Sequence, residues 1–574
     1  MMADTVDRPR VAFRLPRLDP RRLPFLALLL FIGFLVIYPI AWLLLGSFLS
    51  ASPFHPGTFT LDNYIRAYSE PTILRTAGTT LVFSLGQTIA ALIMGGGMAW
   101  LVARTNTPGK SLFEFSMLVL LVLPTIVSVV AWNLLMSPTR GLLNMAAMAL
   151  FPFEQPPFAV YSLGTMIFVQ SLATAPFAYL ILAPVFAAGD SSLEEAARMS
   201  GAGPFRIFFT VTLPLARPAI LSTTILVFIL GIEAFDVPQL LGAPRGIYTY
   251  TSLIYHAIQV REPPEYGMAT ALAVSLQAMA LLCVVLYRRS IKAGSRYEVI
   301  RGKGYRAALV DLGRWRWAAC GIGSLFALVT IILPLVMVIL VSAVPYFFGF
   351  NQAYWNNIGW ANYVRLLNHP ALQGAVTNSL LLAVGGGAVC VLLAAAVGVI
   401  VSRSRIPGRG LLEGVSMLPL SVPATVLAMG LLWAYIALPL PIYGTVMILL
   451  IAYVTRYLPL ALRTVSGGIA AIGSELEEAS RMSGAVSAET FVRITLPLAK
   501  ATLLSAWLMM FMIFFREFSM SILLAGPGNT VLSVVLYDYY QSADTGMLCA
   551  ASVILTFVVT GVVLIGKRFW GLRG

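Results

Sequence analysis

Residues able to do chemistry are few in this chain, and they fall into two groups. The first consists of ionisable residues inside apolar stretches: Glu233 and Asp236 in GIEAFDVPQLLG, and Arg516 and Glu517 in FFREFSMSILLAG. Charge in hydrocarbon is costly and by default marks function. The second is a pair of glutamate-rich segments, LEEAARMSGA at 193–202 and LEEASRMSGA at 476–485. Ser191 or Ser192 ahead of Glu194 and Glu195, and Ser474 ahead of Glu477, have the spacing of a capping box, which predicts a short helix in each. Glu194 with Arg198 and Glu477 with Arg481 then form surface pairs four residues apart. Gly201 and Gly484 end each helix or admit a close neighbour. The expected product is a rigid knob, present twice.

Other chemistries lack their residues. No G-x4-G-K-[ST] loop is present to cradle nucleotide phosphates, and the nearest approach, Gly302-Lys303-Gly304, lacks the leading glycine and the hydroxyl residue. Cys283, Cys320, Cys390 and Cys549 have neither disulfide-framework nor metal-ligand spacing. His55, His256 and His369 are scattered.

The elements that must position these residues are membrane spans. Apolar residues make up 59% of the chain and charged ones 11%, against about 25% charged in soluble domains. Twelve spans are predicted, near 24–48, 77–103, 113–136, 159–186, 219–241, 268–287, 317–343, 376–402, 411–437, 441–462, 501–524 and 546–566. With the start of the chain inside, 30 of the 38 Lys and Arg residues fall in inner segments, as the positive-inside bias requires. Both termini are thereby expected in the cytoplasm. The first apolar run lacks a small-residue cleavage site and reads as a retained span. The net charge of +14 is spread over short inner loops. There it meets anionic lipid rather than forming a nucleic-acid surface.

The chain also repeats itself. Residues 79–109 match 378–408 at an offset of 299 (408 − 109), and 193–202 match 476–485 at an offset of 283 (476 − 193). The surplus in the first half lies at 137–158, a loop that shrinks in the second half to a turn around Pro439 and Pro441. Each repeat has an even number of spans, so the two are parallel and related by an axis along the membrane normal. The expected divisions are a first repeat at 1–290 with its loop at 190–218, a basic connector at 291–316, and a second repeat at 317–574 with its loop at 464–500. Glu233 aligns with Arg516, which predicts a pair between the halves.

The repeated loop carries a resemblance. It reads Glu195-Ala196-Ala197, three residues, Gly201, nine residues, Val211-Thr212-Leu213-Pro214; then Glu478-Ala479-Ser480, three residues, Gly484, nine residues, Ile494-Thr495-Leu496-Pro497. This resembles the EAA signature E-A-A-x3-G-x9-I-x-L-P of ATP-binding-cassette (ABC) importer permeases, with mild departures at Val211 and Ser480. The resemblance covers nearly the whole chain. It implies an all-α, polytopic type I ABC importer permease with about twelve transmembrane helices in two pseudo-twofold-related six-helix repeats, lodged in a bacterial inner membrane.

It further implies that the loops, from Glu194 and Glu477 onward, are coupling helices that dock on two copies of an ABC ATPase. ATP and Mg would bind that partner, and this chain would bind no cofactor. A periplasmic solute-binding protein would dock on the outer loops. Paths in this family run between the halves, so Glu233, Asp236, Arg516 and Glu517 become pathway or interface candidates, and their acidic excess suits a cationic or zwitterionic solute. Fused permeases of this kind are most like those of iron(III) importers, then thiamine, polyamine or aminoethylphosphonate systems. An ion-gradient-driven secondary transporter would share twelve spans in two halves but leave both EAA-like loops without a purpose. The Tyr-rich outer segments (Tyr248, Tyr250, Tyr255, Tyr266; Tyr537, Tyr539, Tyr540) read equally as docking surface or as an interfacial aromatic belt.

Overall fold

The computed structural model describes residues 23–50, 57–188, 191–294, 309–404, 406–436 and 438–570. The charged start of the chain, His55 and most of the expected connector lie outside the described residues. Among those described, nine helices are long and apolar enough to cross a membrane, and three bent helix pairs bring the number to twelve. No β-structure beyond two isolated bridges is present among them.

The first repeat runs α1 (Leu23–Ser47), α2 (Asp62–Ser69), α3 (Pro71–Arg104), α4 (Lys110–Val122), α5 (Thr125–Leu135), α6 (Leu142–Leu150), α7 (Leu163–Ala187), α8 (Ser191–Met199), α9 (Pro204–Leu215), α10 (Arg217–Glu233), α11 (Tyr250–Gln259) and α12 (Tyr266–Gly294). The second runs α13 (Trp315–Ser342), α14 (Ala361–Leu367), α15 (Pro370–Arg403), α16 (Arg409–Ser421), α17 (Ala424–Ile436), α18 (Val446–Ala471), α19 (Ser474–Met482), α20 (Leu496–Phe515), α21 (Leu532–Gln541) and α22 (Thr545–Trp570). The short helices α8 and α19 define one face of the molecule, the loop face; α2, α6, α11, α14 and α21 lie toward the other, the far face.

Two expected spans are broken, and a third bend lies just ahead of another. The spans anticipated at 113–136 and 411–437 bend by 106° between α4 and α5 and by 110° between α16 and α17. Each break falls at a proline, Pro124 and Pro423, positions equivalent under the 299-residue offset. Proline removes a helical donor and pushes its predecessor to extended backbone, and Leu123 accordingly has ψ 125°. The third bend, 74° between α9 and α10, sits at Pro218, whose ring excludes the carbonyl of Pro214. The second repeat has Ala501 there and continues straight through α20. The expected 219–241 span also ends early, at Glu233, where Ala234 turns to ψ 130°. The 137–158 surplus contains the helix α6, which apolar patterning had been read as loop.

The first span of each repeat packs on the opposite repeat. Helix α1 lies along α17, and α13 lies along α5. Gly430 allows the first of these contacts: a Cβ there would stand 2.5 Å from the Pro39 carbonyl oxygen. Tyr38 donates its hydroxyl to the Ala434 carbonyl at 3.2 Å, so the crossing is hydrogen-bonded as well as close, and Trp433 ties α17 to α12 through its indole N–H on Thr270 Oγ1 at 3.1 Å. A second repeated device is a buried asparagine. Asn63 donates to the Ser47 and Leu49 carbonyls, and Asn362 to those of Ser342 and Val344, closing the corner after the first span in each half.

Gly430→Val is expected to wedge α17 from α1 and to cost about 1–3 kcal/mol, the usual range for overpacking. Gly414→Val, where a Cβ meets nothing within 4 Å, should leave the thermal midpoint of the purified protein nearly unchanged. Equal midpoints for the two variants would show that the crossing is not tightly packed.

Candidate functional site

The two knobs form as the serine and glycine spacing predicts. Helices α8 and α19 begin at Ser191 and Ser474, and Gly201 and Gly484 follow them with φ of 82° and 88°, left-handed values that glycine adopts without strain. Glu195, Ala196, Glu478 and Ala479 are exposed and Ala197 half-buried. At the tips, Met199 and Met482 are 91% and 89% exposed, at positions equivalent under the 283-residue offset. Leu213-Pro214 and Leu496-Pro497 open the helices that return into the membrane-spanning part, each after a π turn.

Glu194 departs from expectation. Its carboxylate does not pair with Arg198 on the surface; it is buried and held by Arg104 through Nε at 3.3 Å and Nη2 at 2.6 Å, and by the Thr212 hydroxyl at 2.7 Å. One acid thus ties α8 to the ends of α3 and α9. A buried fork of this kind adds little net stability and fixes geometry. In the second repeat Arg403, the equivalent of Arg104, donates to the Ile469 and Ile472 carbonyls at 2.7 and 2.6 Å, immediately before α19. The side chains of Glu477 and Arg481 lie outside the described residues. Ser480, the departure from the motif, hydrogen-bonds Thr490 at 2.9 Å; the first repeat has Ala197 and Ile207 at those positions, so a polar pair replaces an apolar one.

The charges in the membrane-spanning part meet near the pseudo-twofold axis. Phe235 and Phe518, equivalent residues, pack with tilted rings and centroids 5.6 Å apart, and Ser519 donates to its own equivalent, Asp236, at 3.1 Å. The expected Glu233–Arg516 pair is not formed. Glu233 instead accepts Arg456 of α18 at 2.7 Å, and Arg516 donates to the Leu121 carbonyl at 2.7 Å. Arg456 also donates to the Pro419 carbonyl at 2.7 Å. Leu121 and Pro419 lie just before the two proline breaks; the Pro419 carbonyl, four residues before Pro423 with its missing N–H, also accepts the Val422 N–H at 3.2 Å. Glu517 accepts the Tyr457 hydroxyl and the Met520 N–H. Three carboxyl groups therefore face two guanidinium groups at the junction of the halves.

Beyond the charges, toward the far face, lies a buried aromatic layer. Phe235 packs on Tyr255 and Phe518 on Tyr537, each with centroids 5.5 Å apart, and Tyr255 meets Tyr537 at 6.3 Å. Gln239 and Gln541 both donate to the Tyr537 hydroxyl at 3.0 Å. Tyr255 and Tyr537 are thus interior residues that close the junction, not surface for docking or lipid. His256 packs against Tyr248 with tilted rings 4.9 Å apart; burial, and then Arg261, push its imidazole below the ordinary value. No group of histidine, cysteine and acidic residues suited to a metal occurs among the described residues.

Sequence reasoning named Glu233, Asp236, Arg516 and Glu517, and the structure brings all four to one site. It missed Arg456 and Tyr457 as members, although an arginine inside the apolar 446–471 segment is itself the signal.

A two-repeat, all-helical membrane protein with duplicated loop-face knobs and a charged junction is the architecture of a transport permease. A family model for the inner membrane component of binding-protein-dependent transport systems matches residues 91–293 and 390–570. The chain belongs to this family. It is 25% identical to the ferric transport system permease FbpB of Actinobacillus pleuropneumoniae over 94% of this chain and 77% of that one. It is 27% identical to a probable ABC transporter permease, y4fN, of Sinorhizobium fredii, covering 88% of each. The spermidine/putrescine permease PotB of Escherichia coli is 25% identical over 47% of this chain and 98% of that one. A solved bacterial ABC transporter for alginate import is similar over 45% of this chain and 96% of its own, at 20% identity and a TM-score of 0.37.

Glu233→Ala should lower the thermal midpoint and uptake sharply, because an orphaned charge in a buried pair costs about 3–5 kcal/mol. Glu233→Arg combined with Arg456→Glu should recover much of the midpoint. Glu233→Arg combined with Arg516→Glu should not, since Arg516 uses a carbonyl. Recovery by the second swap alone would reverse the assignment.

Proposed function

We propose that this chain is the translocating subunit of an ATP-driven importer that moves a cationic solute, ferric iron first among the options, through the junction of its two repeats. The observation that carries the ATP-driven reading is the pair of knobs, each ending in a nearly bare methionine. A nearly bare methionine recurring at equivalent positions of both repeats, at the tip of each knob, suits a cleft on a partner, and methionine adapts to such clefts. On this reading each knob seats one copy of an ABC ATPase, which binds ATP and Mg. The loop face and both termini are then cytoplasmic, consistent with the concentration of Lys and Arg in that direction. A solute-binding protein delivers to the far face.

The cationic reading is supported by three carboxyl groups facing two guanidinium groups at the junction. The relatives named for ferric and polyamine transport handle positively charged solutes, which agrees. Thiamine, a cation, and aminoethylphosphonate, a zwitterion, are the next options that the resemblance offers.

The intact complex should contain two ATPase chains per copy of this chain, read by native mass determination; a single ATPase would contradict the reading. Gly201→Glu and Gly484→Glu should each abolish uptake while the protein accumulates normally. A Cβ meets nothing within 4 Å at either glycine, and the left-handed backbone itself costs only about 1–2 kcal/mol. Gly201→Asn, which tolerates that backbone, should keep most uptake. Wild-type uptake in both glutamate variants would remove the docking role.

A further inference from the structure

The lead-in to α13 is by sequence the end of the connector to the second repeat, yet it is fastened to the first repeat. Val310 pairs with Thr105 in a parallel bridge: its N–H donates to the Arg104 carbonyl at 2.8 Å, and the Asn106 N–H donates to the Val310 carbonyl at 3.2 Å. The Asn106 side chain extends the attachment, accepting the Leu312 N–H at 3.1 Å and donating to Asp311 at 2.6 Å. Val310 and Leu312 are buried in a small core with Trp100, Phe113 and Ala216. Trp315 sets its ring edge-on to Phe205 of α9, with centroids 6.3 Å apart.

All of these contacts converge on the first knob. Arg104 offers its carbonyl to Val310 and its guanidinium to Glu194, so one residue joins the lead-in to α8. Phe205 opens the helix that follows Gly201. The Gly313 N–H and then the Asn106 amide hold the exposed Asp311 carboxylate below its ordinary value, with attraction from Arg316 and from Arg198 of α8. A negative charge therefore stays within reach of the knob at neutral pH.

We propose that residues 309–315 form a clip that positions the first coupling knob and carries its movement directly to α13, the first span of the second repeat. This rests on the docking reading above. The positioning residues are Val310, Asp311 and Trp315, acting through Arg104, Asn106 and Phe205. Because α13 packs along α5, displacement of the first knob reaches both repeats: through α9 and α10 into the first, and through the clip into the second. The clip explains why a fused connector ends in a bridge and a buried apolar pair instead of a free tether.

The test places a single added cysteine at Met199 or at Met482 in the whole complex and measures its cross-linking to a cysteine on the ATPase. Each is combined with Asn106→Ala plus Trp315→Ala, or with Trp315→Phe alone. The double-alanine variant should reduce cross-linking at 199 by about threefold to tenfold, the population shift set by losing one aromatic edge contact, and leave position 482 near its parent value. Solute-stimulated ATP hydrolysis should fall in step with the change at 199. Trp315→Phe, which keeps an aromatic edge, should restore both readouts. Equal change, or no change, at 199 and 482 overturns the clip while leaving the docking reading intact. Absence of cross-linking at both positions in the parent overturns the docking reading, and the clip with it.

Discussion

A guanidinium group inside a membrane-spanning bundle needs acceptors, and an unbroken helix has almost none to offer because its carbonyls are already bound. Much of this architecture follows from that constraint. Arg456 and Arg516 are held by carbonyls beside the breaks of the third spans at Pro423 and Pro124: that of Pro419, which also accepts the Val422 N–H, and that of Leu121. The breaks turn α5 and α17 into the interior, where the opposite repeat's first span covers them. The proline, the arginine and the swapped first span are thus parts of a single solution to burying charge. Without the break Arg516 would lose the Leu121 carbonyl, while Arg456 would keep Glu233.

The repeat relation is accurate in backbone and loose in chemistry. Glu233 and Arg516 are equivalent by position, and the natural inference from opposite charges at equivalent sites is a pair across the axis. The structure pairs neither with the other. Near a twofold axis the residues that meet their own equivalents are those that point at it, here Phe235 with Phe518 and Asp236 with Ser519. Two positions before Phe235 and Phe518, Glu233 and Arg516 meet different neighbours, α18 and the α4 break. The backbone leaves the helix between Glu233 and Phe235, with Ala234 extended at ψ 130°, and an alignment alone cannot supply a side chain's direction where the helix ends at the site.

What the sequence made legible follows the same division. Span count, parallel repeats and both knobs were readable because they rest on local signals: apolar length, the serine at a helix start, the glycine after two turns. The proline breaks were present in the sequence too, but apolar continuity across Leu123-Pro124 and Val422-Pro423 outweighed them in a reading based on hydropathy. Glu194 was misplaced for a related reason. Its spacing to Arg198 satisfies a surface pair, and nothing local reveals that Arg104, ninety residues earlier, ends its helix beside it. The corner asparagines Asn63 and Asn362 were also missed, though the shared Asn-Tyr-x-Arg at 63–66 and 362–365 is a repeat signal as strong as that of the knobs.

The order of layers along the axis bears on how such a junction could pass a solute. Aromatic rings close it toward the far face, and the charges stand beneath them, each hydrogen-bonded to a different element. Opening the aromatic layer means separating Phe235 from Phe518, and the same displacement moves α10 and α20, which end at Glu233 and Phe515. Glu233's partner Arg456 stands on α18, and Arg516's partner Leu121 stands at the break after α4, so the charges cannot keep their present partners as the rings part. Carbonyl acceptors make that exchange less severe than an ion pair would, because a neutral acceptor leaves no orphaned charge behind. The site is therefore built so that Arg516, bonded to Leu121, can be released at lower cost than Arg456, whose partner Glu233 is charged. Movement of the halves should begin on the Arg516 side of the junction.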